Sequence, residues 1–74
     1  MELVTIEQFI DVGLAEIARM MLEAEGIPVL LHSAAHASLI GGLAVGGIRL
    51  QVPREYAPKA REILRQLNDN GAEG

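Results

Sequence analysis

Leu22-Glu23-Ala24-Glu25-Gly26-Ile27-Pro28 is a helix end, a glycine stop and the start of a strand within seven residues. The residues before it recur with helical period. Leu14, Ile17, Ala18 and Met21 fall at three-and-four spacing, which predicts an amphipathic helix. Asp11 stands where an N-cap carboxylate accepts bonds from the first free amides. At the other end Gly26 supplies the left-handed C′ residue, and Ile27 at C″ then meets Leu22 at C3. Pro28 keeps the helix from resuming.

Upstream of this helix, Leu3 to Glu7 reads as a short strand, with Val4 and Ile6 on one face and Leu3, Thr5 and Glu7 on the other. Downstream, Ile27 to His32 reads as a second strand. Ile27, Val29 and Leu31 share one face and Pro28, Leu30 and His32 the other; the proline suits an edge strand. The third strand has the clearest alternation, with Ile48, Leu50 and Val52 facing in, Arg49 and Gln51 facing out, and Pro53 ending it. A second helix follows from about Glu55 to Leu67, with Pro58 in its first turn, where a missing amide matters least. Its buried stripe is Tyr56, Ala60, Ile63, Leu64 and Leu67. Asn68, Asn70 and Gly71 close it, leaving residues 69–74 as a flexible C-terminal tail.

Each strand has one apolar face and each helix one apolar stripe, so the elements stack in two layers. The first strand, first helix and second strand form a right-handed crossover. The third strand then inserts between the other two, antiparallel to each. The expected fold is an α/β chain of the α+β two-layer sandwich type: ferredoxin-like βαββα, sheet order 1-3-2, two helices on one face. It is a plait without its fourth strand, in a single domain over residues 1–68.

Seventy-four residues support one thin core. Half the chain is hydrophobic, but Phe9 and Tyr56 are its only aromatic residues, so the core is aliphatic. The absence of cysteine excludes disulfides and thiolate metal sites. A net charge of −4 with a pI near 5.0 argues against nucleic acid, which needs a concentrated basic surface. No apolar run approaches the roughly 18 residues of a membrane span, and no basic n-region marks a signal peptide. A cytoplasmic protein with no membrane partner is expected. So much apolar side chain on so short a chain also predicts self-association.

Ala15 to Val29, A-E-I-A-R-M-M-L-E-A-E-G-I-P-V, then Gly46 to Pro53, G-G-I-R-L-Q-V-P, then Ala60 to Leu64, A-R-E-I-L, resemble a known family. It is the group of small bacterial proteins described as putative prokaryotic signal-transducing proteins, a domain of unknown function similar in shape to PII and ACT-type ferredoxin-like domains. The resemblance spans Leu3 to Leu67. Its shared motif, L-E-x-x-G-I-P with a later G-I-x-L-x-V-P, consists of caps and strand alternation, so it speaks to the fold more than to a reaction. It implies a non-enzymatic regulatory or ligand-binding module of signal transduction, and carries over no catalytic residue and no cofactor. Ferredoxin-like regulatory domains use sheet edges, subunit interfaces and the loop between the second and third strands for ligands; here that loop is Ser33 to Gly47.

The residues themselves offer few catalytic candidates. His32 and His36 are the only histidines, one on a strand and one in a loop, with neither cysteine nor a nearby acid to complete a metal site; surface histidines are the plainer reading. Gly41-Gly42 and Gly46-Gly47 could form an anion nest. They lack the Lys-Ser/Thr and the following helix of a phosphate loop, so a hairpin tip accounts for them better. Arg54, Arg61 and Arg65 share a stripe of the second helix that reads as a solvated face. Ser33 and Ser38 have no orienting acid close in sequence.

Two features ask for a covering surface. Ser33 to Gly47 is a fifteen-residue connection, apolar and free of acid and lysine, where a hairpin needs two to five; Ala34 to Ile40 is expected to form a helical turn in it. The first helix is apolar over more than half its circumference, with only Glu16, Arg19 and Glu23 as a polar stripe. The expected ligand- or partner-binding residues are Leu3, Leu30, His32, Arg49 and Gln51 on the sheet face away from the helices, with Leu39, Ile40 and Leu43 of the loop folding over them. The expected partner is a second copy, as a homodimer or higher homo-oligomer, docking through that face or the edge of the first strand. A protein–protein adaptor with no small-molecule ligand is the alternative.

Overall fold

The computed structural model describes residues 1–33, 38–40 and 43–73. In chain order it places β1 (Leu3–Asp11), α1 (Val12–Ala24), β2 (Leu30–Ser33), β3 (Ser38–Ile40), β4 (Leu43–Pro53), a 3-10 turn (Arg54–Tyr56) and α2 (Ala57–Glu73). β4 contains the strand expected from Ile48. It lies between β1 and β2 and is antiparallel to both. This is the expected 1-3-2 order of a βαββα ferredoxin-like arrangement. Both helices pack on one face, where Ala18 and Leu22 of α1 and Ala57, Ala60 and Leu64 of α2 share a cluster with Leu50 and Val52.

The helix stop forms as the sequence predicts. Asp11 accepts bonds from the amides of Gly13 (2.8 Å) and Leu14 (3.2 Å) at the start of α1. At its end Gly26 takes φ +81. The Ile27 amide donates to the Leu22 carbonyl (3.0 Å) and the Gly26 amide to that of Glu23 (2.9 Å), the paired bonds of a Schellman motif. Leu22 and Ile27 are both buried in the same cluster.

Several boundaries differ from expectation. β2 begins at Leu30, not Ile27. Leu30 pairs with Gln51, and one pleat further back Pro28 would meet Pro53, where neither residue has an amide to donate. β1 runs past Glu7 to Asp11, through a bulge. Thr5 pairs with Gln51, but Glu7 rather than Ile6 pairs with Leu50. The extra residue turns the strand. Glu7 therefore shares the helix-facing side with Leu50 and sits with Ile6 in a cleft against Arg61, Leu64 and Arg65. It is not on the open face where unbroken alternation puts it.

The expected loop from Ser33 to Gly47 is largely strand. Ser38–Ile40 pairs antiparallel with Leu43–Val45, so Ser38–Ile40 is extended rather than part of a helical turn; the rest of that expected turn, residues 34–37, lies outside the described residues. Leu43 pairs with both Ile40 and Asp11, which puts β3 on the β2 side of β4. Phe9 pairs with Ile48 and Asp11 with Leu43, so Ala44–Gly47 oppose Ile10 alone. Gly47, at φ +88, turns the chain through this irregularity.

α1 also settles on a different side. Ala15, Ala18 and Leu22 are buried, whereas Leu14 and Ile17 are 46% and 42% exposed and Met21 is half-buried. Four alanines, Ala15 and Ala18 on α1 with Ala57 and Ala60 on α2, are buried against the sheet. Small side chains let both helix backbones approach closely, and the larger α1 residues are left outside that contact. Finally, α2 continues to Glu73 rather than ending at Leu67. Among the described residues only Gly26 and Gly47 have positive φ, so Gly71 does not supply the left-handed residue of a helix stop.

Candidate functional site

Pairing across β4 places the candidate residues of the uncovered sheet face in two rows. Thr5, Gln51 and Leu30 form one row, and Gln8, Arg49 and His32 the next. The Gln51 amide donates to the Thr5 hydroxyl at 3.0 Å, tying β1 to β4. Leu30 ends the first row at 46% exposure, and Leu3 and Ile10 stand beyond the rows at 41% and 64%. Leu3, Leu30, His32, Arg49 and Gln51 are thus brought together on one face, as the alternation of their strands requires. Ile10 and Gln8 escaped the sequence reading, because β1 was expected to stop before them. Leu39, Ile40 and Leu43 are strand residues of β3 and β4, not a loop over this face; their side chains lie outside the described residues.

The opposite side carries a second apolar surface. Leu14, Ile17 and Met20 project from α1, the last 55% exposed. Two clefts run along the seam between the helices. One of about 380 Å³ is lined by Met21, Ala24, Glu25, Ile63 and Gln66, and one of about 250 Å³ by Phe9, Leu14, Leu67 and Asn68. A third, of about 240 Å³, is the cleft at the β1 edge that holds Glu7, Arg61 and Arg65.

The described charges mostly neutralise one another along exposed surfaces. Arg19 bridges Glu16 and Glu23 on α1, and hydrogen bonding and attraction to Glu16, then Glu23, hold its guanidinium above the usual arginine range. Arg65 pairs with Glu62, and Arg54 with Glu2 across the ends of the sheet. Arg49 is outside all of these pairs. His36, the second histidine of the weighed metal pair, lies outside the described residues. Among the described residues no three of His, Cys, Asp and Glu cluster at metal-binding range, and no helix is long and apolar enough to cross a membrane.

The fold and these surfaces define a small α+β module of ferredoxin-like βαββα arrangement. The chain belongs to the family described as putative prokaryotic signal transducing protein, which matches residues 3–68. No curated protein and no solved structure gives a match.

Proposed function

We propose that this chain is a non-enzymatic regulatory module of prokaryotic signal transduction that works by association with protein surfaces in the cytoplasm, itself a homodimer or higher homo-oligomer. One observation carries the reading. Large apolar side chains stand exposed on both broad faces of a slab measuring 34 × 32 × 15 Å. A single layer of helices on a single sheet leaves two outward faces, and exposed apolar patches on such faces mark interaction sites. The non-enzymatic part is supported by the family motif, L-E-x-x-G-I-P with a later G-I-x-L-x-V-P, which consists of caps and strand alternation.

The two faces suit different partners. Leu14, Ile17 and Met20 follow each other at three-residue steps along α1, and an antiparallel copy of α1 buries such a stripe against itself. The uncovered sheet face mixes leucines with amides, Arg49 and His32, the composition of a recognition surface. An adaptor without a small ligand is favoured over a metabolite sensor by the spread of that composition across two strand rows, with Leu30 exposed in one and Leu3 and Ile10 exposed beyond them. Light scattering at micromolar concentration tests the assembly. A mass above 7.9 kDa that rises with concentration is expected, and a constant monomer overturns the self-associating part of the reading. A thermal-shift screen tests the adaptor part. No metabolite is expected to raise the melting point, and one that does makes the chain a ligand sensor.

A further inference from the structure

We propose that the uncovered sheet face holds a carboxylate-bearing segment of another protein, with Arg49 as its anchor. The inference rests on the reading of that face as a partner surface and adds the partner's chemistry.

The bulge in β1 is the starting point. Were the register at Thr5–Gln51 to continue unbroken, Glu7 would stand directly across from Arg49, an ordinary cross-strand ion pair. The extra residue instead sets Glu7 against Leu50 on the helix side and brings Gln8 opposite Arg49. On the other flank Arg49 faces His32. Its strand neighbours are therefore an amide and an imidazole, and among the described residues it makes no ion pair. The side chains of residues 34–46 and 69–74 lie outside the described residues; the first stretch contains no aspartate or glutamate, and Asp69 and Glu73 of the second belong to α2. The fold thus removes the carboxylate that the sequence aligned with this arginine, and leaves a guanidinium at the centre of an exposed face.

The surroundings select the occupant. Leu3, Leu30 and Ile10 rim the face; covered by a partner, they exclude water and strengthen an ion pair at its centre. A free small anion gains no such exclusion on an open surface and competes with salt. A second copy laid face to face by two-fold symmetry sets one Arg49 row against the other, with no described carboxylate between them. The remaining match is a segment of another protein with Asp or Glu inside an apolar stripe, as on an amphipathic helix. Arginine reads such a carboxylate with two parallel bonds.

A random peptide library displayed against the whole chain tests this, with Arg49→Glu as the paired bait and Arg61→Gln, on α2, as the control. Binders to the native chain are expected to be rich in Asp or Glu flanked by apolar residues. They should lose about tenfold or more in affinity on Arg49→Glu, the equivalent of one good charged contact, and lose little on Arg61→Gln. Selection on Arg49→Glu should instead enrich Lys or Arg. Amide chemical-shift mapping of a binder should move Gln8, Leu30, His32 and Gln51. Peptides on this face without acid preference, or indifferent to Arg49→Glu, overturn the carboxylate inference and leave the partner surface standing. Binders that map to α1, failure to select any binder, or Arg49→Glu abolishing self-association instead, overturn both.

Discussion

At the scale of single residues, the two positive-φ glycines have different neighbours. A Cβ built on Gly26 meets nothing within 4 Å, whereas one on Gly47 lies 3.8 Å from the Phe9 carbonyl oxygen. The cost of Gly26→Ala is therefore purely conformational, about 1 kcal/mol, the penalty of a side chain in the left-handed region. Gly26→Asn should recover part of it, since asparagine tolerates that region. Urea denaturation of the two variants beside the native chain reads the difference, and a native midpoint for Gly26→Ala would mean that the left-handed conformation carries no penalty there. Asp11 makes the matching case at the other end of α1. Removing its carboxylate in Asp11→Ala leaves the amides of Gly13 and Leu14 without their cap and should cost about 0.5–2 kcal/mol, while Asp11→Asn keeps most of it. Both residues were legible in the sequence because a cap and a stop are local: type and position alone specify them.

At the scale of elements, legibility follows the same rule of locality. The alternation from Ile48 to Val52 gave the central strand and its inward face, because one buried side fixes the register. Leu50 is fully buried there, so Leu50→Ala should lose about 2–5 kcal/mol and unfold much of a marginal domain. A near-native melting curve would contradict its central place. What the sequence did not reveal depended on long-range pairing. The bulge at Ile6 has no local signature, since Val4, Ile6 and Glu7 alternate acceptably without it, and only pairing with β4 exposes it. The hairpin of Ser38–Ile40 with Leu43–Val45 did carry a signal, two apolar β-forming runs two residues apart around Gly41-Gly42. The glycine pair itself reads as a hairpin tip; only the strands beside it are lost when the apolar stretch is taken as one long connection. The face of α1 was misjudged for a further reason. An apolar arc wider than the sheet can cover leaves several orientations open, and closeness of approach decided among them in favour of Ala15 and Ala18. Enlarging that contact should be resisted: Ala18→Leu is expected to cost about 1–3 kcal/mol through overpacking, readable as a lowered denaturation midpoint with the fold retained.

At the scale of the whole molecule, the consequence of that rotation is where the apolar surface ends up. Two of the four residues of the predicted stripe, Leu14 and Ile17, join Met20 on the outside of the helical layer, while the sheet keeps Leu3, Ile10 and Leu30 outside on the other. On the proposed reading these faces divide the work. The helical stripe is wholly apolar at its centre, so a two-fold copy buries like against like with no charge at the axis. The sheet face holds Arg49 at its centre, which penalises a symmetric copy and favours an acidic partner. A broad face of 34 × 32 Å is large enough for the roughly 800 Å² that each partner gives to a standard interface. Two charge substitutions separate the faces, and neither residue is in the buried core. Ile17→Glu places a carboxylate in the stripe and should convert the assembly to monomer at concentrations where the native chain associates. Leu30→Glu adds its carboxylate one row from Arg49 and should leave the assembly intact while weakening the acidic peptides selected on that face. Sedimentation velocity over a hundredfold range of concentration measures the first effect, and peptide titration the second. If Leu30→Glu dissociates the assembly and Ile17→Glu does not, the copies meet through the sheet, and the helical layer becomes the surface left for a signalling partner.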